Sequence, residues 1–247
     1  MRLDTSEAIQ GAMAAGAYEP EQTAWARECL LAGDRFVDIG ASFGWYTALA
    51  STIVGPMGRV FAFEPSPIAW DVIANTIAEN QLENVTLVRA AVGTASGHEY
   101  IHMPVNDAVH SPSAFASDPD FVPLQVPMIS LDSYAPLADG RRIKLIKIDV
   151  EGYEPNVLQG MRELVRNGAV QNIFLEFNSG WLKRNATTPE ELFRLVTSFG
   201  FQVHKKTGLE VHREKSGDPF ELQDMWLKWP LDRSARHSAR SPGPDTR

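Results

Sequence analysis

A carboxylate that follows a short apolar run at a fixed distance from a glycine is the first sign of chemistry in this sequence. Residues 36–39 predict a strand that stops at Gly40, and the apolar spacing after Gly44 has the period of a helix. A second run, residues 59–63, ends at Glu64. Glu64 lies close to the roughly 20-residue distance at which a Rossmann-like unit places a ribose-binding carboxylate. This spacing predicts a strand–turn–helix–strand unit that binds a nucleoside.

The turn between the glycines indicates which nucleoside. A dinucleotide site needs a middle glycine so that the backbone can approach a pyrophosphate, whereas this chain has Ala41 and Ser42 there. S-adenosylmethionine has a free ribose diol, no phosphate and a sulfonium cation, and Asp38 suits that cation better than it suits a phosphate. A turn whose glycines serve only packing is the alternative at this point.

Composition limits the class of protein. The chain has 247 residues, 44% of them hydrophobic and 22% charged, which is enough for one sizeable core. Its formal net charge of −8 argues against nucleic acid as a partner. The acidic start and the lack of an apolar run of about 18 residues predict no membrane partner and a cytoplasmic location. Cys29, the single cysteine, lies in a helical pattern and is predicted to be a core residue.

Further patterns predict the elements that position these residues. The remaining strands are predicted at residues 83–93, 143–149, 172–177, 201–205 and 223–229, the first of them buried. Crossover helices are predicted at residues 67–80, 153–165 and 189–199. Residues 99–103 could pair beside the third strand or extend the sheet. A turn-rich connection before the last strand predicts that the last two strands run antiparallel.

Three segments depart from the strand–helix alternation. Residues 1–34 read as two helical segments separated at Pro20, and we expect this extension to cover an edge of the sheet or the mouth of a site. Residues 104–127 lack periodicity, which predicts a long irregular segment that acts as a substrate-facing lid. Residues 231–247 are rich in Arg, Ser and Pro and are predicted to be a disordered basic tail, which leaves residues 35–230 as the main domain.

The order of short motifs resembles a known family. The motifs are D-x-G-A-x-x-G at residues 38–44, V-F-A-F-E-P at 60–65, E-N-V at 83–85, A-V-G at 91–93, V-x-x-x-x-L-D at 126–132 and K-I-D-V-E-G at 147–152. Over about residues 35–180 the chain is similar to the FkbM-type S-adenosylmethionine-dependent methyltransferases, with Ser42 where the family usually has Asn. The resemblance implies an α/β, Rossmann-like class I methyltransferase fold. Such a fold has a seven-stranded, mostly parallel sheet with an antiparallel last strand and helices on both faces.

The resemblance also implies methyl transfer to oxygen, often a sugar hydroxyl in a glycan or natural product. Ligands of open α/β sheets bind beyond the carboxyl ends of the strands. The predicted cofactor residues are Asp38, Gly40, Ser42, Phe43, Gly44, Tyr46, Glu64, Pro65, Ser66, Ala91 and Asp149. We expect Glu64 to accept both ribose hydroxyls, and Asp38 or Asp149 to hold the ammonium group of the methionine portion.

A hydroxyl acceptor must lose its proton, which requires a base or a metal ion. The predicted catalytic residues are Asp149, Glu151 and Glu176, with Asp149 or Glu151 as the first choice of base. Acids at these strand ends could instead bond helix N-termini. His110 is an alternative base. An Mg²⁺ ion bound by Asp149, Glu176 and Asn178 is a less favoured alternative, so no metal site is predicted.

Other assignments stay open. Lys147 shares a strand face with Asp149 if the pleat is regular, and would then set its charge state. Trp45, Tyr46 and Trp181 could stack on adenine or on a sugar. An NAD(P)-dependent oxidoreductase is disfavoured by the missing middle glycine and by the lack of a Tyr-x-x-x-Lys pair. A module that binds S-adenosylmethionine without catalysis shares the same motifs. The expected partner is a small-molecule or glycan hydroxyl of open identity, and the oligomeric state is also open.

Overall fold

The computed structural model of the chain describes residues 8–104, 121–213 and 219–230. The helices are α1 (Ala8–Ala14), α2 (Pro20–Cys29), α3 (Trp45–Val54), α4 (Pro67–Glu79), α5 (Glu154–Gln159), α6 (Arg162–Arg166), α7 (Ser179–Arg184) and α8 (Pro189–Ser198). The strands are β1 (Arg35–Ile39), β2 (Arg59–Phe63), β3 (Val85–Val88), β4 (Ala91–Val92), β5 (Gly97–Pro104), β6 (Phe121–Ile129), β7 (Leu145–Ile148), β8 (Asn172–Asn178), β9 (Gln202–Lys206), β10 (Glu210–Arg213) and β11 (Pro219–Lys228). Within these ranges no helix is long and apolar enough to cross a bilayer.

The central sheet has the strand order β10-β11-β8-β7-β1-β2-β3, and β9 also pairs with β11. The five strands from β8 to β3 are parallel, whereas β11 runs antiparallel to β8, β9 and β10. β9 pairs with residues 225–228 of β11 and β10 with residues 219–222, so the two share one edge position. The predicted α/β architecture with a mostly parallel sheet and an antiparallel last strand is confirmed, and β10 is a short addition to it.

Side chains that alternate along β1 supply the cores on both faces of the sheet. Val37 and Ile39 belong to one buried cluster, which also contains Val196 of α8. Phe36 belongs to a second cluster together with Trp25 of α2. Because successive side chains of a strand point to opposite faces, the two clusters lie on opposite faces of the sheet, and each contains residues of a covering helix. The carboxyl ends of the five parallel strands meet at one edge of the sheet.

The predicted third strand over residues 83–93 is split in two. β3 lies at the edge of the central sheet and is half-buried rather than buried. After a turn in which Ala90 N donates to Val88 O, β4 enters a separate sheet of order β4-β6-β5. Residues 99–103 are part of β5 in this second sheet, so they neither pair beside the third strand nor extend the central sheet.

The prediction of an irregular lid over residues 104–127 is wrong for its last part. Residues 121–127 belong to β6, which pairs antiparallel with β5 along its whole length. Pro123 and Pro127 interrupt the sequence pattern there. Among the described strands, only β5 pairs with this part of β6, and proline is tolerated in strands with a free edge. Residues 105–120, with His110, lie outside the described residues, as do residues 1–7 and the predicted tail.

The helix predicted over residues 153–165 is broken into α5 and α6. At the break, a Cβ added to Gly160 would lie 1.9 Å from the carbonyl oxygen of Gly93. Gly160 therefore lets the chain pass close to the end of β4. The carboxylate of Asp132 accepts the backbone N–H groups of Glu163 and Leu164 at 3.0 and 2.9 Å and so caps α6. The motif residue Asp132 therefore has a structural role.

Candidate active site

The carboxyl ends of the parallel strands open onto a cavity of about 1190 Å³, its open mouth included. The predicted site residues on its wall are Gly40, Ser42, Phe43, Glu64, Pro65, Ser66, Ala91, Asp149, Glu151 and Glu176. Three other predicted cofactor residues, Asp38, Gly44 and Tyr46, are not part of the described lining. The structure thus brings most of the predicted residues to one cavity and places three outside its wall.

The glycine turn, residues 40–44, connects β1 to α3. Gly40 has φ 78°, and a Cβ there would lie 1.8 Å from the carbonyl oxygen of Asp149, so only glycine fits. Gly44, the N-cap of α3, has φ 83°. Ser42 is also left-handed, with φ 49°. Because Asn enters this region more readily than Ser, the backbone gives a reason for the Asn that the motif usually has.

Glu64 fixes the glycine turn from the end of β2. Its Oε2 accepts the backbone N–H of Ser42 at 2.8 Å, and its Oε1 accepts that of Ser66 at 2.7 Å. The side chain is only 3% exposed, and burial raises its pKa to about 7 although both hydrogen bonds act to lower it. Each carboxylate oxygen can accept more than one hydrogen bond. Glu64 therefore has capacity for two further donors, as a ribose diol would supply.

Asp38 lies beneath the glycine turn. It is 1% exposed, and its Oδ2 accepts the hydroxyl of Thr47 at 2.6 Å. Its buried Oδ1 has no hydrogen-bond partner among the described residues. Burial raises the pKa of Asp38. The unsatisfied oxygen leaves an acceptor behind the turn, and direct contact of Asp38 with a cofactor stays a prediction.

The acidic turn, residues 149–152, follows β7 and is held by a glutamate that the motif reading missed. Glu154, 2% exposed, accepts the N–H groups of Val150 and Gly152 at 3.2 and 3.1 Å. Burial raises the pKa of Glu154 to about 7. Glu151, in the middle of the turn, has φ 53° and lines the cavity. The acidic turn is therefore fixed from behind while Glu151 faces the site.

Asp149 belongs to a charged group that is partly buried: the Lys147 side chain is 11% exposed and that of Asp149 27%. As predicted, Lys147 lies beside it, and Nζ donates to Asp149 Oδ2 at 2.6 Å. Burial alone would raise the pKa of Asp149, but the Lys147 charge and a hydrogen bond with Glu176 lower it. Burial and the Asp149 charge together raise the pKa of Glu176 well above its usual value. Within this pair Asp149 is therefore the carboxyl group that ionises first, and Glu176 is the one that keeps its proton to higher pH.

Several wall residues come from elements that motif reading did not connect to the site. Tyr18 and Glu19 precede α2, and Glu99 and Ile101 lie on β5. The N-terminal extension is predicted to cover an edge of the sheet or the mouth of a site, but no local pattern marks individual residues in it. The residues of β5 reach the cavity through strand pairing between distant segments, which a single sequence does not reveal.

Stacking and metal binding receive little support. The indole N–H of Trp45 donates to Thr23 Oγ1 at 3.0 Å, and Arg184 lies 4.4 Å from the Trp181 ring. Neither tryptophan is part of the described lining. Among the described residues, no group of three or more His, Cys, Asp or Glu side chains is arranged to hold a metal ion. The Mg²⁺ alternative is not supported.

Comparisons with known proteins identify relatives. Methyltransferase sdnD of Sordaria araneosa is 29% identical over 170 residues, covering 55% of this chain and 64% of that protein. Hexuronic acid methyltransferase AglP of Haloferax volcanii is 26% identical over 145 residues, covering 58% of this chain and 55% of that protein. The chain therefore spans less than two thirds of the length of these relatives.

Solved structures also resemble the chain at low identity. Precorrin-6y C5,15-methyltransferase of Geobacter metallireducens has a TM-score of 0.47 at 16% identity, covering 83% of this chain and 87% of that one. Aeropyrum pernix fibrillarin with bound S-adenosyl-L-methionine has a TM-score of 0.47 at 12% identity, covering 84% and 74%. The family model described as "Methyltransferase FkbM domain" matches residues 38–203, more than half of the sequence. The chain belongs to the FkbM methyltransferase domain family.

Proposed function

We propose that this chain transfers a methyl group from S-adenosylmethionine to a hydroxyl oxygen of a sugar, glycan or natural product. The observation that carries the proposal is the Glu64 carboxylate, which lies on the cavity wall with both oxygens oriented by backbone N–H groups. It stands beside a turn that lacks the middle glycine of a diphosphate site. A free ribose diol fits this carboxylate, and a dinucleotide pyrophosphate does not fit the turn.

The residues present suit the donor. Glu64 would hold the ribose, and Gly40, which approaches the end of β7 closely, would leave room for the methionine portion beside the backbone. Asp149, whose pKa the Lys147 charge lowers, would place negative charge near a bound sulfonium, and the unsatisfied Oδ1 of Asp38 would lie behind the glycine turn. When bound, S-adenosylmethionine supplies an electrophilic methyl group whose sulfur leaves as a neutral thioether.

Asp149 is our proposed acceptor of the hydroxyl proton. The Lys147 charge lowers the pKa of Asp149, so Asp149 is ionised at neutral pH, whereas the pKa of the neighbouring Glu176 is raised. Glu151 on the acidic turn is the second candidate. Most of the rate gain would come from holding donor and acceptor in line on the rigid strand rim.

The charge of the wall bears on the acceptor class. Acidic residues, among them Glu19, Glu99 and Glu151, line the cavity, and the described lining contains no Lys or Arg. An acceptor carboxylate would be repelled there. Although one relative is named for hexuronic acid, we propose a neutral hydroxyl compound as acceptor. With a net charge of −8, we do not propose nucleic acid.

We further propose that residues 35–230 form the methyltransferase domain, with residues 1–34 as an extension.

The test of function is transfer of labelled methyl from S-adenosylmethionine to a panel of neutral sugars, uronates and hydroxylated natural products. We expect transfer to a neutral compound, and an Asp149→Asn variant that binds S-adenosylhomocysteine normally but transfers at least about 100-fold more slowly. Calorimetry without any heat for S-adenosylmethionine or S-adenosylhomocysteine would refute the proposal. Stabilisation by NADH instead would favour an oxidoreductase, and cofactor binding without transfer to any acceptor would favour a non-catalytic module.

A further inference from the structure

Residues 18–23, here called the N-terminal strap, lie outside the part of the chain that matches the family and yet reach the cavity. The strap is tied to the domain by side-chain hydrogen bonds. Tyr46 Oη donates to Glu19 Oε2 at 2.7 Å, and Trp45 Nε1 donates to Thr23 Oγ1 at 3.0 Å. Gln22 Nε2 donates to Asp224 Oδ2 at 2.5 Å. Both Tyr46 and Trp45 lie in the first turn of α3, directly after the glycine turn.

These ties hold Glu19 at the glycine-turn side of the cavity. Glu19 lines the main cavity together with Gly40 and Ser42. It also lines a smaller neighbouring pocket with Lys147 and Asp149. Its backbone is left-handed, with φ 42°, which is unfavourable for a non-glycine residue. The fold therefore keeps this carboxylate in place against a local conformational cost.

The methionine portion of S-adenosylmethionine ends in an ammonium group that needs an acceptor. Of the carboxylates expected to supply it, Asp38 is 1% exposed, bonded to Thr47 and not on the described wall. Asp149 is on the wall, but it is already paired with the Lys147 ammonium and also hydrogen-bonded with Glu176. Glu19 is on the wall, and a carboxylate that accepts one hydroxyl keeps further acceptor positions.

We propose that Glu19 accepts a hydrogen bond from the ammonium group of the methionine portion of the cofactor. The N-terminal strap thus completes the cofactor site from outside the matched domain, and Tyr46 positions Glu19. This inference rests on the proposed use of S-adenosylmethionine. It replaces Asp38 and Asp149 as the direct ligands of the ammonium group.

The test compares two ligands that differ in the amino-acid portion. S-adenosylhomocysteine carries that portion, whereas 5′-methylthioadenosine keeps adenosine and sulfur but lacks it. Both affinities are measured by calorimetry on the full chain. Glu19→Gln is expected to weaken S-adenosylhomocysteine by about 10- to 100-fold, the size of one charge-assisted hydrogen bond, and to leave 5′-methylthioadenosine within about twofold. Tyr46→Phe is expected to lower the ratio of the affinity for S-adenosylhomocysteine to that for 5′-methylthioadenosine by a smaller factor than Glu19→Gln does.

Glu151→Gln is the matched control, because it removes one negative charge from the same wall on the acidic turn. It should leave the ratio of the two affinities unchanged. Equal weakening of both ligands in Glu19→Gln, or no weakening of either, would overturn the inference, as would a fall of the ratio in Glu151→Gln alone. If neither ligand binds the wild-type chain, the proposed function fails instead, so the two failures are distinguishable.

Discussion

Glu64 and Glu154 are alike in almost every local respect. Each is nearly fully buried, at 3% and 2% exposure. Each accepts two backbone N–H groups, Glu64 from Ser42 and Ser66, and Glu154 from Val150 and Gly152. Burial raises the pKa of each to about 7. Both therefore work as clasps that fix the backbone, one on the glycine turn and one on the acidic turn.

They differ in what lies in front of them. Glu64 is on the cavity wall, whereas Glu154 is not part of the described lining, and its buried Oε2 has no hydrogen-bond partner within the described ranges. A raised pKa often marks a functional residue, but here the same shift occurs at a residue with a supporting role. Position on the cavity wall, and not a perturbed pKa, is therefore the criterion by which we propose Glu64 for binding and Glu154 for support.

The largest expected effect concerns stability and should be the same for both glutamates. A pKa raised from 4.5 to about 7 means that folding favours the protonated carboxyl. Its contribution to stability is fully present below pH 4.5 and is lost as the pH rises through 7. We expect Glu154→Gln and Glu64→Gln each to reduce the fall in the free energy of unfolding between about pH 5 and pH 8 by about 2–3 kcal/mol. Urea unfolding at both pH values measures this, and a fall equal to that of the wild type would contradict the shared clasp role.

Ligand binding should separate the two residues. In Glu64→Gln the amide presents a donor to the N–H groups or to the ribose, and the charge-assisted bonds to the diol are lost. We expect the affinity for S-adenosylhomocysteine to fall by about 100-fold in Glu64→Gln and by less than about threefold in Glu154→Gln. Calorimetry on both variants provides the measurement. Similar losses in the two would mean that Glu64 acts only through the backbone.

Only some of these site residues could be predicted from the sequence. The glycine turn and Glu64 were predictable because their signals are local: a strand that ends at a glycine and a second strand that ends in an acid. Glu154 reads in sequence as an ordinary first-turn acid of a helix, since its burial depends on how the acidic turn folds over it. Glu19 and Glu99 reach the cavity only through packing of distant segments, and β6 was hidden by its two prolines.

The pH dependence of binding sharpens the same contrast. Because the pKa of Glu64 is about 7 in the free protein, the side chain is mostly a protonated carboxyl at lower pH. It must then lose its proton before it can accept hydrogen bonds from both ribose hydroxyls. The affinity for S-adenosylhomocysteine is therefore expected to decrease by about 20-fold from about pH 7.5 to pH 5.5. Glu64→Gln should remove this dependence and Glu154→Gln should keep it. A wild-type affinity that is constant over this range would place the Glu64 pKa well below 7.

The smallest expected effect is on stability and concerns the backbone conformation that the glycine turn and the acidic turn share. Each contains a left-handed residue that is not glycine, Ser42 with φ 49° and Glu151 with φ 53°. Asn tolerates this conformation better than Ser, so Ser42→Asn is expected to stabilise the chain by about 0.5–1 kcal/mol and leave the bond from the residue 42 N–H to Glu64 intact. Alanine does not share the preference of Asn for this conformation, so Ser42→Ala should be neutral or destabilising. Thermal unfolding of the wild type and the two variants measures the difference. If Asn destabilises as much as Ala, side-chain contacts of Ser42 outweigh its backbone, and the glycine turn is held by more than Glu64 and its conformation.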